Sequence, residues 1–166
     1  MPNHSIDRLI ADYVIQYKEN HYRLAYSYVR NTEDALDVVQ ESIYKALSAK
    51  NSLKDTAYLK TWFYRIIVNT ALDFLRRRKR LKVAEEGTLI SLDGGALDHY
   101  QDIDLRRALD ALPADYRSII ILHYFEDLRL EDVAEILDKN VNTVKTQLYR
   151  TLKRLRLEMD DKESQL

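Results

Sequence analysis

Between Val141 and Leu157 the chain carries five basic residues, Lys145, Arg150, Lys153, Arg154 and Arg156, and no acid. The apolar residues Val141, Val144, Leu148, Leu152 and Leu155 recur there at spacings of three and four, the period of an amphipathic helix. At about 100° per residue the opposite face shows Asn142, Thr143, Thr146, Arg150 and Lys153, flanked by Lys145 and Tyr149. Short polar side chains near a helix start suit hydrogen bonds to base edges, and cations further along suit phosphates. On this division Asn142, Thr143, Lys145, Thr146 and Gln147 are candidate readers, and Arg150, Lys153 and Arg154 candidate anchors.

A second basic run, LDFLRRRKRLK from Leu72 to Lys82, holds six cations and one acid. It ends a segment in which Arg65, Asn69, Asp73, Arg76 and Arg80 share one helical stripe. Asn69 and Asp73, one turn apart, offer donors and acceptors for an exposed base, and Arg76, Arg77 and Arg80 continue as a phosphate track. Asn69 has a second possible role, a hydrogen bond to a neighbouring helix or loop. Trp62, at helical spacing, reads as core, whereas Tyr58 is free to stack. Glu33, Asp34, Asp37 and Glu41 form a contrasting acidic group. In a chain of formal net charge -1, two separated basic faces point to a polyanion touched at two places. Either run alone would read better as a solvated helix end; the two together reverse that reading.

The elements that position these residues are all helical by pattern. Three Gly and two Pro in 166 residues are too few for a turn-rich β fold. Hydrophobic residues at 46% and charged residues at 32% fit a folded, soluble chain. The spacing predicts a helix over Ile6–Val29, a second capped by Asn31 and running to Ala49, a polar loop over Lys50–Thr56, and a third helix over Ala57–Arg80. The stretch Leu81–Asp102 holds every Gly and no sustained period, and reads as a flexible linker. Beyond it come helices over Ile103–Leu112, stopped by Pro113, and Ala114–Phe125, apolar at Ile119, Ile120, Leu122 and Phe125. Leu130–Leu137 and Val141–Leu157 follow, joined by the tight turn Asp138-Lys139-Asn140. Asp and Asn tolerate left-handed backbone better than most residues, so this pair reads as a helix-turn-helix. The same periodicity would fit an ordinary helical hairpin with a basic outer face. The expected fold is all-α: a lobe of three helices, a linker, and a lobe of four.

Other chemistry finds little footing. With no Cys there is neither a disulfide nor a thiolate metal site, and His4, His21, His99 and His123 lack ligand spacing. No Gly-rich phosphate loop occurs, so neither a cofactor nor a small-molecule substrate is expected and the chain does not read as an enzyme. The start, MPNHSIDRLIADY, lacks the pattern of a signal peptide, and no apolar run approaches the roughly 20 residues that span a bilayer. A cytoplasmic location is expected.

Two stretches resemble a known family. LPADYRSIIILHYFEDLRLEDVAEILDKNVNTVKTQLYRTLKRLR is similar to the C-terminal promoter-binding domain of sigma-70 family factors of the extracytoplasmic function (ECF) group. Leu112-Pro113, Arg117, Phe125-Glu126 and VNTVKTQLYRTLKRLR fall in register. The chain departs from the pattern at Asp138 and Asn142, where Gly is common, and at Arg129, where a capping Ser or Thr is usual. TWFYRIIVNTALDFLRRRKR resembles the segment that reads the -10 element, and NTEDALDVVQESIYKAL resembles the helix that docks on core RNA polymerase. The resemblance implies a transcription initiation factor with an N-terminal domain over 1–80, a linker over 81–102 and a C-terminal domain over 103–166. It implies -35 contacts from the Val141–Leu157 helix, Tyr149 included. It implies -10 contacts from Leu53, Lys54, Asp55, Tyr58, Arg65, Asn69, Asp73, Arg76, Arg77 and Arg80, and polymerase contacts from Asp34, Asp37, Gln40 and Glu41. The implied partners are core RNA polymerase, promoter DNA and an anti-sigma factor, commonly membrane-bound, set against or between the lobes. A free-standing DNA-binding regulator with a helical dimerisation lobe is the competing reading of the residues.

Overall fold

The computed structural model describes residues 2–85 and 107–164. Among them every regular element is helical. The first lobe comprises α1 (Pro2–Gln16), α2 (Lys18–Val29), α3 (Thr32–Ser48) and α4 (Leu59–Ala84), with short 3-10 turns at Lys50–Ser52 and Thr56–Tyr58. The second comprises a helical stretch over 107–110, α5 (Ala114–Ile120) running on into a π-helical segment (Ile121–Phe125), α6 (Leu130–Leu137) and α7 (Val141–Ser164). Most of the expected linker lies outside the described residues, as does the start of the expected Ile103–Leu112 helix.

Four expectations need correction. The single first helix is two, because the chain bends at Tyr17 (φ -109°, ψ 23°) while the hydrogen bonds on either side persist. No Gly or Pro marks that bend. The third helix begins at Leu59, after the 3-10 turn, and runs four residues past Arg80. The helix starting at Val141 continues to Ser164, beyond Leu157. Phe125, expected in the core, is 58% exposed, whereas Ile121 is buried. The π segment explains the last point. Its Glu126 N–H reaches back five residues to the Ile121 carbonyl (2.9 Å), which shifts the register of the buried face.

Elsewhere the local signals hold. Asn31 has extended backbone and its Oδ1 accepts from the Asp34 N–H at 3.0 Å, an N-cap reinforced by Glu33 and Asp34 in the first turn. In the first lobe, α4 packs on α2 and α3 around the fully buried Ile10, Leu24, Val38, Phe63 and Ile67. Trp62 packs against this core while its indole N–H donates to Ser52 Oγ.

The lobes share a seam. α4 packs on α6 as well as on its own lobe, which is why Tyr64 and Val68 are buried along with Phe63, Ile67 and Ala71. Tyr64 donates its hydroxyl to Glu126 Oε1 at 2.7 Å, with both side chains buried. The fully buried Tyr28 hydroxyl donates to Ser118 Oγ, whose own hydroxyl donates to the Ala114 carbonyl. Arg30 pairs with Asp110 at the rim. Burial pulls the Arg117 guanidinium below its usual range, and its Nε has no hydrogen-bond partner among the described residues. Two clefts of about 350 and 570 Å³ open along the seam, and the exposed Phe125 lines both.

Candidate nucleic-acid interface

The α6–α7 pair owes its geometry to three residues. α6 ends at Asp138, in the left-handed region (φ 56°, ψ 50°), and the Lys139 N–H reaches back five residues to the Ala134 carbonyl at 2.8 Å. That bond satisfies a carbonyl the helix end would otherwise leave open. Asn140 then accepts the Asn142 N–H at 2.8 Å and caps α7. Arg129, at the start of α6, supplies no side-chain cap to the backbone and pairs with Asp132 instead.

Val133, Ala134 and Ile136 of α6, and Val144, Leu148 and Leu155 of α7, are buried, and both α5 and α6 pack on α7. Thr151, which the apolar period passes over, is also buried, its hydroxyl bonded to the Gln147 carbonyl. The opposite face of α7 is open. Asn142, Thr143, Lys145, Thr146, Tyr149, Arg150, Lys153 and Arg154 are all exposed. The Thr146 hydroxyl donates to the Asn142 carbonyl at 3.0 Å, so the side chain offers an acceptor outward. Gln147 differs from its neighbours. It is half-buried, and its Oε1 accepts from Lys139 Nζ at 3.1 Å.

On α4 the stripe Arg65, Asn69, Asp73, Arg76, Arg77 and Arg80 is exposed along its length. Asn69 makes no side-chain hydrogen bond among the described residues, so the second role open to it in sequence is not taken up there. Asp73 is bound to Arg76 at 2.8 Å. Arg78, in the same basic run, turns inward instead: it donates to the Val29 carbonyl and to Asp34 Oδ2, both at 3.0 Å. In the preceding loop Lys54, Asp55 and Tyr58 are exposed, and Asp55 accepts the Ala57 N–H at 2.9 Å. Leu53 is buried in the first lobe.

The acidic face of α3 divides in the same way. Asp34 is held by Arg78, and Glu41 lies between Lys45 (3.7 Å) and Arg77 (3.6 Å). Asp37 and Gln40 are exposed and carry no ion pair or side-chain hydrogen bond among the described residues. The open, exposed Leu36 and Tyr44 share this helix. Sequence reasoning did not find the inward Arg78, the Lys139–Gln147 bond or the seam residues Tyr28, Tyr64 and Ser118. For Lys139 a signal existed, a long cation eight residues before Gln147 across a tight turn.

The family comparisons agree with this geometry. Residues 14–81 match the sigma-70 region 2 family and residues 102–155 match sigma-70 region 4. RNA polymerase sigma factor SigV of Bacillus subtilis is 51% identical over 151 residues, covering 91% of each chain. The ECF RNA polymerase sigma factor SigW of the same organism is 31% identical, covering 91% of this chain and 89% of its own. Among solved structures, the Bartonella quintana sigma factor RpoE, crystallised with the anti-sigma factor NepR, superposes with a TM-score of 0.75 at 26% identity, covering 90% of this chain and 96% of that one. With two open cationic helix faces on an all-α frame, and relatives aligned almost end to end, this chain belongs to the sigma-70 family, in its extracytoplasmic function group.

Proposed function

We propose that this sigma factor binds core RNA polymerase through the outer face of α3, places α7 in the major groove of a -35 element, and reads a -10 element with α4 and the turn before it. The observation that carries the reading is the open face of α7, where short polar side chains precede cations while the other face is locked by α5 and α6. Such a helix reaches base edges with its first turns and phosphates with its later ones. The exposed α4 stripe, with Asn69 unbonded and arginines beyond it, supports a second contact with an unpaired strand. Opening the duplex needs no covalent step: stacking and pocket contacts to an unstacked base offset the few kcal/mol of unpairing. On this reading 1–80 and 103–166 act as two DNA-binding domains joined through 81–102.

Of the four polymerase-contact candidates on α3, Asp37 and Gln40 are the two without an ion pair or side-chain hydrogen bond among the described residues, with Leu36 and Tyr44 supplying apolar area. Asp34 and Glu41 act mainly within the chain, holding Arg78 and Arg77. The site of action is the cytoplasm, where polymerase and promoter meet; no helix among the described residues is long and apolar enough to cross a membrane. An anti-sigma factor, membrane-anchored as is common in the group, holds the protein inactive by bearing on the lobes at their seam. That the Bartonella relative was crystallised with an anti-sigma factor supports a partner of this kind.

Mobility shifts and run-off transcription test the reading. Purified protein with bacterial core polymerase retards and transcribes promoter fragments, and the protein alone retards them weakly. Tight binding to one DNA sequence without polymerase, and no transcription with it, would instead identify a free-standing regulator.

A further inference from the structure

Gln147 is set apart from every other candidate reader on α7 by what its side chain already does. Its carbonyl oxygen accepts from Lys139 Nζ at 3.1 Å. A lysine ammonium can only donate, so the amide's orientation is fixed by chemistry: Oε1 faces Lys139 and the NH2 group faces away from it. Lys139 is itself held. Its backbone N–H closes the end of α6 on Ala134, and its ammonium lies 3.8 Å from Asp115 Oδ2 of α5. The turn and α5 together therefore place this ammonium beside α7. The side chain of Lys139 is only 22% exposed, so it is not a freely swinging surface cation.

A free glutamine is a two-way reader, since its amide gives a donor and an acceptor to adenine N6 and N7. With Oε1 turned to Lys139 and one of its lone pairs engaged there, the two N–H donors are the polar groups the amide directs away from the turn. Among base edges in the major groove, guanine offers two acceptors, N7 and O6, and no donor. We infer that Lys139 is a positioning residue for DNA readout, which holds Gln147 with its oxygen turned inward and its N–H donors outward and so turns its preference from adenine to guanine at one base pair of the -35 element. The inference rests on the proposed docking of α7 in the major groove. It adds to that docking a residue in the turn that selects a base without touching it.

The test uses the full chain assembled with core RNA polymerase and a promoter library randomised across the -35 element, comparing Lys139→Met, Lys139→Arg, Gln147→Ala and Lys145→Ala with the parent protein. Thermal melting of each variant first confirms that it folds. In the parent, one position favours guanine. Gln147→Ala flattens the preference at that position by about five-fold or more, the size of one lost base contact. Lys139→Met frees Oε1 and moves the same position toward adenine by a similar factor, while Lys139→Arg, which keeps a cationic donor, retains guanine. If Lys139→Met instead lowers binding to all sequences alike and reduces the salt slope by about one counterion, Lys139 is a phosphate contact and the inference fails. It fails too if Gln147→Ala leaves every position unchanged while Lys145→Ala alters one, since α7 then reads DNA without Gln147. If no substitution on α7 alters any position, the docking itself is wrong and both readings go.

Discussion

His21 is fully buried and neither ring nitrogen has a hydrogen-bond partner among the described residues. The rings of Tyr13, Phe63 and Tyr64 surround it, with centroids 5.2, 4.7 and 5.8 Å away, and Tyr17 stands at 6.5 Å. Burial pushes the imidazole down from 6.5 to about 4, and the same burial pushes the Tyr13 and Tyr64 hydroxyls up, so these two stay neutral across the acid range. A folded-state value below the unfolded one means that protonation favours the unfolded chain, so stability held in full above pH 6.5 is lost as pH falls toward 4. In full, the difference is worth about 3 kcal/mol, of which about 2 kcal/mol disappears between pH 7 and pH 5. His21→Leu, close in volume and unable to titrate, removes both unpartnered nitrogens. It should therefore match or exceed the parent at pH 7, by up to about 2 kcal/mol. Urea unfolding of both proteins at pH 7 and pH 5 reads the outcome. The parent should lose about 2 kcal/mol more than the variant over that interval. Equal losses, or a His21 ring that titrates near 6.5 by NMR, would refute the reasoning.

Asp138→Gly relieves a left-handed residue and should change stability by between zero and a gain of about 1 kcal/mol, whereas Asp138→Val should lose about 1–2 kcal/mol; chemical denaturation measures both. Asn69→Ala should leave the melting temperature unchanged or slightly raised, because Asn69 is exposed and unbonded and Ala is the better helix former, while open-complex formation falls about five-fold or more. Equal losses in melting and transcription would make Asn69 structural. Asp37→Lys should weaken competition for core polymerase against another sigma factor, whereas Asp34→Asn should act mainly on stability, through the loss of Arg78. Unchanged competition by Asp37→Lys would remove that face from the polymerase contact.

The sequence made the start of α3 legible because a single side chain closes it, the Asn31 bond running over three residues, whereas Asn140, read as a turn residue, turned out to cap α7. The α7 face was legible for a similar reason, since a helix exposed on one side keeps one period along its length. α4 was only half legible. It packs against both lobes, so its buried surface is wider than the stripe that periodicity detects, and Tyr64 and Val68 fall outside that stripe. The seam could not be read, because its polar bonds join residues 62 and 90 positions apart. Nor could the π segment, since one extra residue in a turn leaves no compositional mark. On α3 the acids look equivalent in sequence, and only the inward turn of Arg78 separates Asp34 from Asp37.

The seam between the lobes acts as a set-point. It is closed by hydrogen bonds from Tyr28 and Tyr64 as well as by apolar contact, and when parted those groups can find water. Parting is therefore an equilibrium with a finite constant, and each 1.4 kcal/mol of closure cuts the parted population by about ten-fold. Any ligand that engages only parted lobes sees its apparent affinity reduced by that population. A partner that grips both lobes deepens the reduction by its own differential affinity. Substitutions at Tyr28 or Ser118, remote from the open faces of α3, α4 and α7, would then retune the response to every such ligand by one common factor.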